Sequence, residues 1–169
     1  MLFLKEMPRD EALRILKAGF PGLDPVEVEA SLVLLCASKE VLEAHEAQIA
    51  DHGISRGRFS VLMLLKHMPG YTASPTLIAR TLGVTKATMT GLLDGLERDG
   101  FIKRNHSKTD RRKISVELTR KGFKYLEKII PNHVKKVTSL VKGLSKAEMR
   151  ILIDLLDKLR NSLPRKERK

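Results

Sequence analysis

The chain has few of the residues from which disulfides and aromatic pockets are built. Its 169 residues include one cysteine, no tryptophan, two tyrosines and five phenylalanines. A single cysteine, Cys36, excludes a disulfide within the chain and any zinc site made from several cysteines. This composition is compatible with a reducing compartment, so we expect a cytoplasmic protein with no cofactor and no metal.

Long apolar runs and catalytic motifs are also missing. The uninterrupted apolar runs, such as residues 32–35, fall far short of the roughly 20 apolar residues that cross a bilayer. The sequence contains no glycine-rich phosphate loop, no nucleophile elbow and no paired carboxylates in an apolar frame. We therefore expect neither a membrane protein nor an enzyme.

Positive charge is plentiful and unevenly distributed. The formal net charge is +12, and residues 101–169 contain 21 basic and 7 acidic residues, whereas residues 1–50 contain 5 basic and 9 acidic ones. Clustered Lys and Arg attract phosphates and release counterions when they are neutralised. The asymmetry predicts a polyanionic partner, with nucleic acid as the first candidate and an anionic membrane surface as the second.

Helix signals flank the middle of the chain on both sides. Asp24-Pro25 is an N-cap followed by proline, and it opens a long helix that should stop at Gly53. On the C-terminal side, Thr119 should cap a helix that is interrupted or kinked near Pro131. Ser145 to Glu148 form a capping box that opens the last helix. These signals predict a mostly α-helical protein.

Two short helices with a glycine between them are predicted in the middle of the chain. Ser74-Pro75 opens the first helix, Gly83 ends it, and Thr85 starts the second, which reaches Asp99. Short hydroxyl side chains at the exposed start of the second helix suit a DNA major groove, because they contact base edges or phosphates without holding the helix away. The predicted DNA-reading residues are Thr85, Lys86, Ala87, Thr88 and Thr90.

A charged hairpin, or wing, is predicted directly after this helix-turn-helix. Residues 103–113 hold six basic residues and a histidine, and they lie between the apolar residues 100–102 and the alternating run Ile114 to Leu118. Arginine on such a hairpin can enter a minor groove, whose negative potential attracts it. Asp110 would be repelled by phosphate and should instead orient Arg111 or Arg112. The predicted DNA-binding residues of the wing are Arg104, Ser107, Lys108, Asp110, Arg111 and Arg112.

The run Ile54–Leu118 resembles the MarR family of bacterial and archaeal transcription regulators. The resemblance rests on Val84 to Asp94, then Leu96 to Arg104, then Asp110-Arg111-Arg112, in order and at the right spacing. It implies that Lys86, Thr88 and Thr90 lie on the groove-reading helix and that Asp110 and Arg112 form a pair at the wing tip.

The same resemblance implies a fold class, a domain plan and two kinds of partner. The fold is mostly α-helical with a two- to three-stranded β-wing. Residues 1–53 and 119–169 would form a helical dimerisation domain, and residues 54–118 a winged helix-turn-helix. The homodimer would bind a palindromic double-stranded DNA operator, most often as a repressor. A small aromatic effector would release it from DNA.

Other interpretations stay open at this point. The wing could serve a protein-interaction module that meets an acidic partner, or the chain could coat DNA without sequence preference. Cys36 could be a redox switch, as in peroxide-sensing relatives, but a thiol without a partner for its thiolate is more often a small buried hydrophobe. The five histidines form no recognised metal-binding spacing, so we expect surface or hinge roles for them.

Overall fold

The computed structural model describes residues 22–106 and 114–164, together with Glu11, Arg14, Ile15, Ala18 and Gly19. The chain forms two compact units, Met1–Phe59 and Ser60–Lys169. Within the described ranges, the helices are α1 (Pro25–Ala50), α2 (Arg56–His67), α3 (Pro75–Leu82), α4 (Lys86–Arg98), α5 (Arg120–Ser139) and α6 (Lys146–Ser162). The strands are β1 (Thr72–Ala73), β2 (Ile102–His106) and β3 (Ile114–Leu118), and a 3-10 turn spans Pro69–Tyr71.

Side-chain caps start the helices where the sequence predicts them. Asp24 accepts a hydrogen bond from the backbone N–H of Val26 at 2.8 Å, so α1 begins at Pro25. At α6, the hydroxyl of Ser145 accepts from the N–H of Glu148, and the Glu148 carboxylate accepts from the N–H of Ser145. Each cap supplies an acceptor for an N–H that has no partner inside the helix.

Of the two outcomes predicted near Pro131, an interruption or a kink, the interruption is wrong. Helix α5 continues from Arg120 to Ser139 through this proline. A proline removes one hydrogen bond of the helical ladder, but Leu126 and Ile129 are buried on the same helix. Because tertiary burial supplies most helical stability in proteins, the helix tolerates the loss.

The helix-turn-helix and the wing share one unit. Gly83 has φ +68° and ends α3 in the left-handed conformation that glycine adopts without strain. The three strands form an antiparallel sheet in the order β1–β3–β2, so β2 is an edge strand. The predicted fold class, mostly α-helical with a two- to three-stranded wing, is confirmed.

An apolar core fixes this unit. None of the polar or charged residues in the described part of the chain is buried. The core combines side chains from all of its helices except α6 with side chains from the sheet. Its most completely buried members are Val61, Leu62, Leu65, Ile78, Met89, Leu93, Leu96, Ile102, Val116 and Leu126.

Candidate nucleic-acid interface

The N-terminal turn of α4 presents three threonine hydroxyls. Thr85 is the N-cap, and its hydroxyl oxygen accepts a hydrogen bond from the backbone N–H of Thr88 at 3.1 Å. The hydroxyl oxygens of Thr85 and Thr88 also lie 2.8 Å apart. Thr90 donates its hydroxyl hydrogen to the carbonyl oxygen of Lys86 at 3.0 Å. The predicted reading residues Thr85, Lys86, Ala87, Thr88 and Thr90 are all exposed.

These hydrogen bonds determine which donor hydrogens and acceptor lone pairs of the hydroxyls remain available for DNA. The hydrogen of Thr90 is used within the helix, so its oxygen presents lone pairs that can accept from the amino group of adenine or cytosine. Thr85 and Thr88 use one of their two hydroxyl hydrogens for the bond between them. The other hydrogen stays available for a phosphate oxygen or a base acceptor.

Lys86 adds a positive charge to the same turn. Lys86 is the first residue of α4, where the backbone N–H groups of a helix carry partial positive charge and attract anions. Lys86 and Thr90 also line one groove between α3 and α4, together with Pro75, Thr76, Ala79, Met89 and Leu93. The start of α4 and the groove beside it therefore combine a cation, hydroxyl groups and apolar lining residues.

Arg104 does not lie on the outer face of the wing. Strand alternation puts it on the same face as the buried Ile102, and the register places it opposite the buried Val116. Its guanidinium contacts the carboxylates of Asp94 at 2.6 Å and Glu97 at 2.9 Å. The DNA-binding role of Arg104 stays a prediction, and these contacts favour a role inside the unit.

Lys103 is the basic residue that faces outward on β2, and sequence reasoning did not select it. Its ammonium lies 3.0 Å from the Glu117 carboxylate across the β2–β3 ladder. The side-chain amide of Asn105 donates to the same carboxylate at 2.7 Å. The hydrogen bonds from Lys103 and Asn105 hold the pKa of Glu117 below its ordinary value. Period-two alternation from Ile102 was the signal that could have identified Lys103.

The remaining predicted wing residues, Ser107, Lys108, Asp110, Arg111 and Arg112, lie outside the described residues.

Elsewhere, the lone Cys36 is exposed in the single chain, so the expectation of a buried thiol does not hold for it. Among the residues that the structure describes, no three His, Cys, Asp or Glu side chains are arranged to hold a metal ion. No helix in the described ranges has both the length and the apolar character needed to cross a membrane.

Comparison with known proteins identifies the relatives of this chain. The family model described as "MarR family" matches residues 54–114. The HTH-type transcriptional repressor YetL of Bacillus subtilis is 38% identical over 156 residues, which are 92% of this chain and 93% of YetL. The chain belongs to the MarR family. The membership predicted from residues 54–118 is thereby confirmed.

Several solved structures share the fold of this chain. Sco3205, a MarR family transcriptional regulator from Streptomyces coelicolor solved in complex with DNA, matches with a TM-score of 0.73 at 20% identity over 86% of this chain and 92% of Sco3205. BpsR of Bordetella bronchiseptica, whose DNA binding is regulated by 6-hydroxynicotinic acid, matches with a TM-score of 0.64 at 24% identity over 78% and 92% of the two chains. The winged helix-turn-helix of this MarR protein is therefore the fold of known regulators.

Proposed function

We propose that this MarR protein is a homodimeric transcription repressor that binds a palindromic DNA operator. The observation that carries the proposal is the N-terminal turn of α4, which exposes Thr85, Lys86, Thr88 and Thr90 on one corner of a winged helix-turn-helix. A helix fits the major groove end-on, and hydroxyl and ammonium groups at its start meet base edges and phosphates. YetL, which is 38% identical over 92% of this chain, is named a repressor.

Dimerisation is supported by the apolar surface of α6. No residue of this helix is buried in the single chain. A helix with so much exposed apolar surface is typical of a protein interface. Its most exposed large apolar residues are Ile151, Ile153, Leu155 and Leu156, at 58%, 58%, 59% and 45% exposure. We propose that residues 1–53 and 119–169 of two copies form the dimerisation domain and that residues 54–118 bind DNA.

Regulation by a small aromatic molecule is proposed by analogy with the family. BpsR responds to 6-hydroxynicotinic acid, and an effector that prefers the DNA-free conformation would lower operator occupancy by population shift. Compounds of this class can be screened directly by their effect on operator affinity at fixed salt.

We further propose that the chain catalyses no reaction and acts in the cytoplasm, as a regulator of bacterial or archaeal genes does.

Selection of bound sequences from a random duplex pool tests the proposed function. A dimeric regulator should enrich one palindrome whose half-sites are about one helical turn apart. Binding of that duplex and of a scrambled duplex is then compared at one ionic strength. Enrichment of no motif would indicate a DNA-coating protein, and binding of neither duplex would indicate a protein-interaction module. Either result would refute the proposal.

The wing needs its own test, because its tip lies outside the described residues. Arg112→Ala should weaken operator binding without unfolding the protein. Circular dichroism of the variant checks the fold, and titration of the selected duplex measures the affinity. Unchanged affinity would mean that Arg112 does not contact DNA.

A further inference from the structure

Arg104 is held at three points by helix α4. Its backbone N–H donates to one carboxylate oxygen of Glu97 at 2.9 Å, and its Nη1 donates to the other at 2.9 Å. Its Nη2 lies 2.6 Å from the Asp94 carboxylate. The Arg104 side chain is 24% exposed, compared with 57% for Asp94. Carboxylates from two consecutive turns of α4 thus converge on one residue of strand β2.

Because of the position of β2 in the sheet, these contacts join the strand to helix α4. Because β2 is an edge strand, its outward N–H groups have no neighbouring strand to bond. Glu97 accepts one of them, from Arg104. The planar guanidinium adds two charge-assisted bonds with fixed geometry. Helix and wing strand are therefore joined through backbone and side chain at the same residue.

The local charge argues against a direct phosphate contact. The single positive charge of Arg104 is opposed by two carboxylates, Asp94 and Glu97, so the cluster carries a net negative charge. A phosphate that approached it would have to displace a carboxylate and would be repelled by the other. The guanidinium is thus poorly placed to neutralise DNA, although it lies between the two elements that the proposed function brings to DNA.

We propose that Arg104 is a positioning residue. It fixes the angle between α4 and the wing strands, so that both elements meet the duplex together, and it does not itself bind phosphate. This inference rests on the proposed DNA-binding function. It assigns Asp94 and Glu97, which carry charge of the same sign as DNA, a role that promotes operator binding.

Two conservative variants separate positioning from phosphate binding. Arg104→Lys keeps the charge but loses the fork that spans both carboxylates, and it should weaken operator binding roughly tenfold. A phosphate contact made by the charge alone would lose less affinity than this, because lysine still binds phosphate as a point charge. Asp94→Asn removes a negative charge and one partner, and it should also weaken binding, with an unchanged slope of log affinity against log salt. If Asp94→Asn tightens binding, the positioning role is overturned.

Matched controls account for general electrostatics and for stability. Glu117→Gln removes one negative charge from the same sheet, away from the Arg104 cluster, and should leave operator affinity unchanged or slightly higher. Thermal unfolding of every variant is recorded in parallel. If Arg104→Lys lowers the melting temperature while the folded protein keeps its operator affinity, Arg104 is only structural and the proposal is wrong.

Hydrogen exchange of the DNA-free protein tests the contacts themselves. Glu97→Gln should speed exchange at the Arg104 amide by roughly tenfold, because the charged acceptor of that N–H is lost. Unchanged exchange would overturn the inference even if DNA binding is established. A wild-type protein with no operator preference would instead refute the proposed function, so the two failures can be told apart.

Discussion

Gly122 lies directly against the backbone of Phe101, so closely that a methyl group in place of its hydrogen would come within 2.3 Å of the Phe101 carbonyl oxygen. Gly122 belongs to the first turn of α5, and Phe101 immediately precedes β2. Thr119 binds the same stretch, since its hydroxyl donates to the Gly100 carbonyl oxygen at 2.7 Å and accepts from the Gly122 N–H at 3.1 Å. The base of the wing is therefore fixed to the start of α5 by a contact that only glycine permits.

Gly122→Ala should destabilise the protein. Space for the methyl group requires a shift of the α5 backbone or of residues 100–101, and overpacking of this kind costs about 1–3 kcal/mol. The free energy of unfolding, measured by urea titration, gives the loss. Gly91→Ala is the matched control, because nothing lies within 4 Å of the added carbon in that helix. It should stabilise the protein by about 0.5–1 kcal/mol through helix propensity. Equal effects at both sites would contradict this account.

The helix starts and the buried face of α4 could be predicted from the sequence, because interactions between residues close in sequence determine them. The starts of α3, α4 and α5 follow from Ser74, Thr85 and Thr119, each of which accepts a hydrogen bond from an N–H of the first turn. The apolar spacing of residues 89–96 likewise indicates which face of α4 is buried and which is exposed. In both cases the determining groups lie within a few residues of one another.

Arg104 shows where such reasoning stops. It lies within a run of basic residues, and that run as a whole predicts contact with DNA. Its environment is set instead by strand alternation from Ile102 and by two carboxylates on α4. Asp94 and Glu97 look like ordinary solvated helix residues in the sequence, because nothing local indicates which strand will pack beside them.

The Glu117 carboxylate should make stability depend on pH in the acid range. Hydrogen bonds from Lys103 and Asn105 hold its pKa below the ordinary value in the folded protein. A carboxyl group with a lowered folded pKa stabilises the fold above its unfolded pKa, and this stabilisation is lost as pH falls through the folded value. Wild type should therefore be more stable than Glu117→Gln near neutral pH, and the difference should vanish in acid.

The measurement is urea unfolding of both proteins across that pH range. Because Glu117 is partly exposed to solvent, the difference will be small. Glu127→Gln, on the exposed face of α5, removes the same charge elsewhere and serves as the control. A difference between wild type and Glu117→Gln that grows as pH falls would have the wrong sign and would refute this assignment.

Lys86 and Thr90 should make different kinds of contribution to DNA binding. Lys86→Gln removes a cation from the start of α4, so the slope of log affinity against log salt should become shallower by about 0.9. The loss should be similar for the operator and for random duplex, since phosphates carry no sequence information. Fluorescence anisotropy at several salt concentrations measures both quantities.

Thr90→Val provides the comparison, because it keeps the shape of the side chain and removes the hydroxyl. Its salt slope should equal that of wild type, whereas its preference among variant operators should change at one position of each half-site. An unchanged preference would remove Thr90 from the reading residues. A shallower slope would instead make it a phosphate contact.

The apolar face of α6 should hold the two copies together. Leu155 is 59% exposed in the single chain, and burial of its side chain in an interface would contribute about 1.5–3 kcal/mol. Leu155→Glu should therefore raise the dimer dissociation constant by at least roughly tenfold, and sedimentation velocity across a concentration series measures it.

Asn161→Glu adds the same charge elsewhere on this helix and should leave the dimer intact. Operator affinity should fall together with dimerisation in Leu155→Glu, because one protomer reaches only one half-site. If the variant is dimeric like wild type, Leu155 does not hold the two copies together. If it is monomeric with full operator affinity, operator binding does not depend on the dimer.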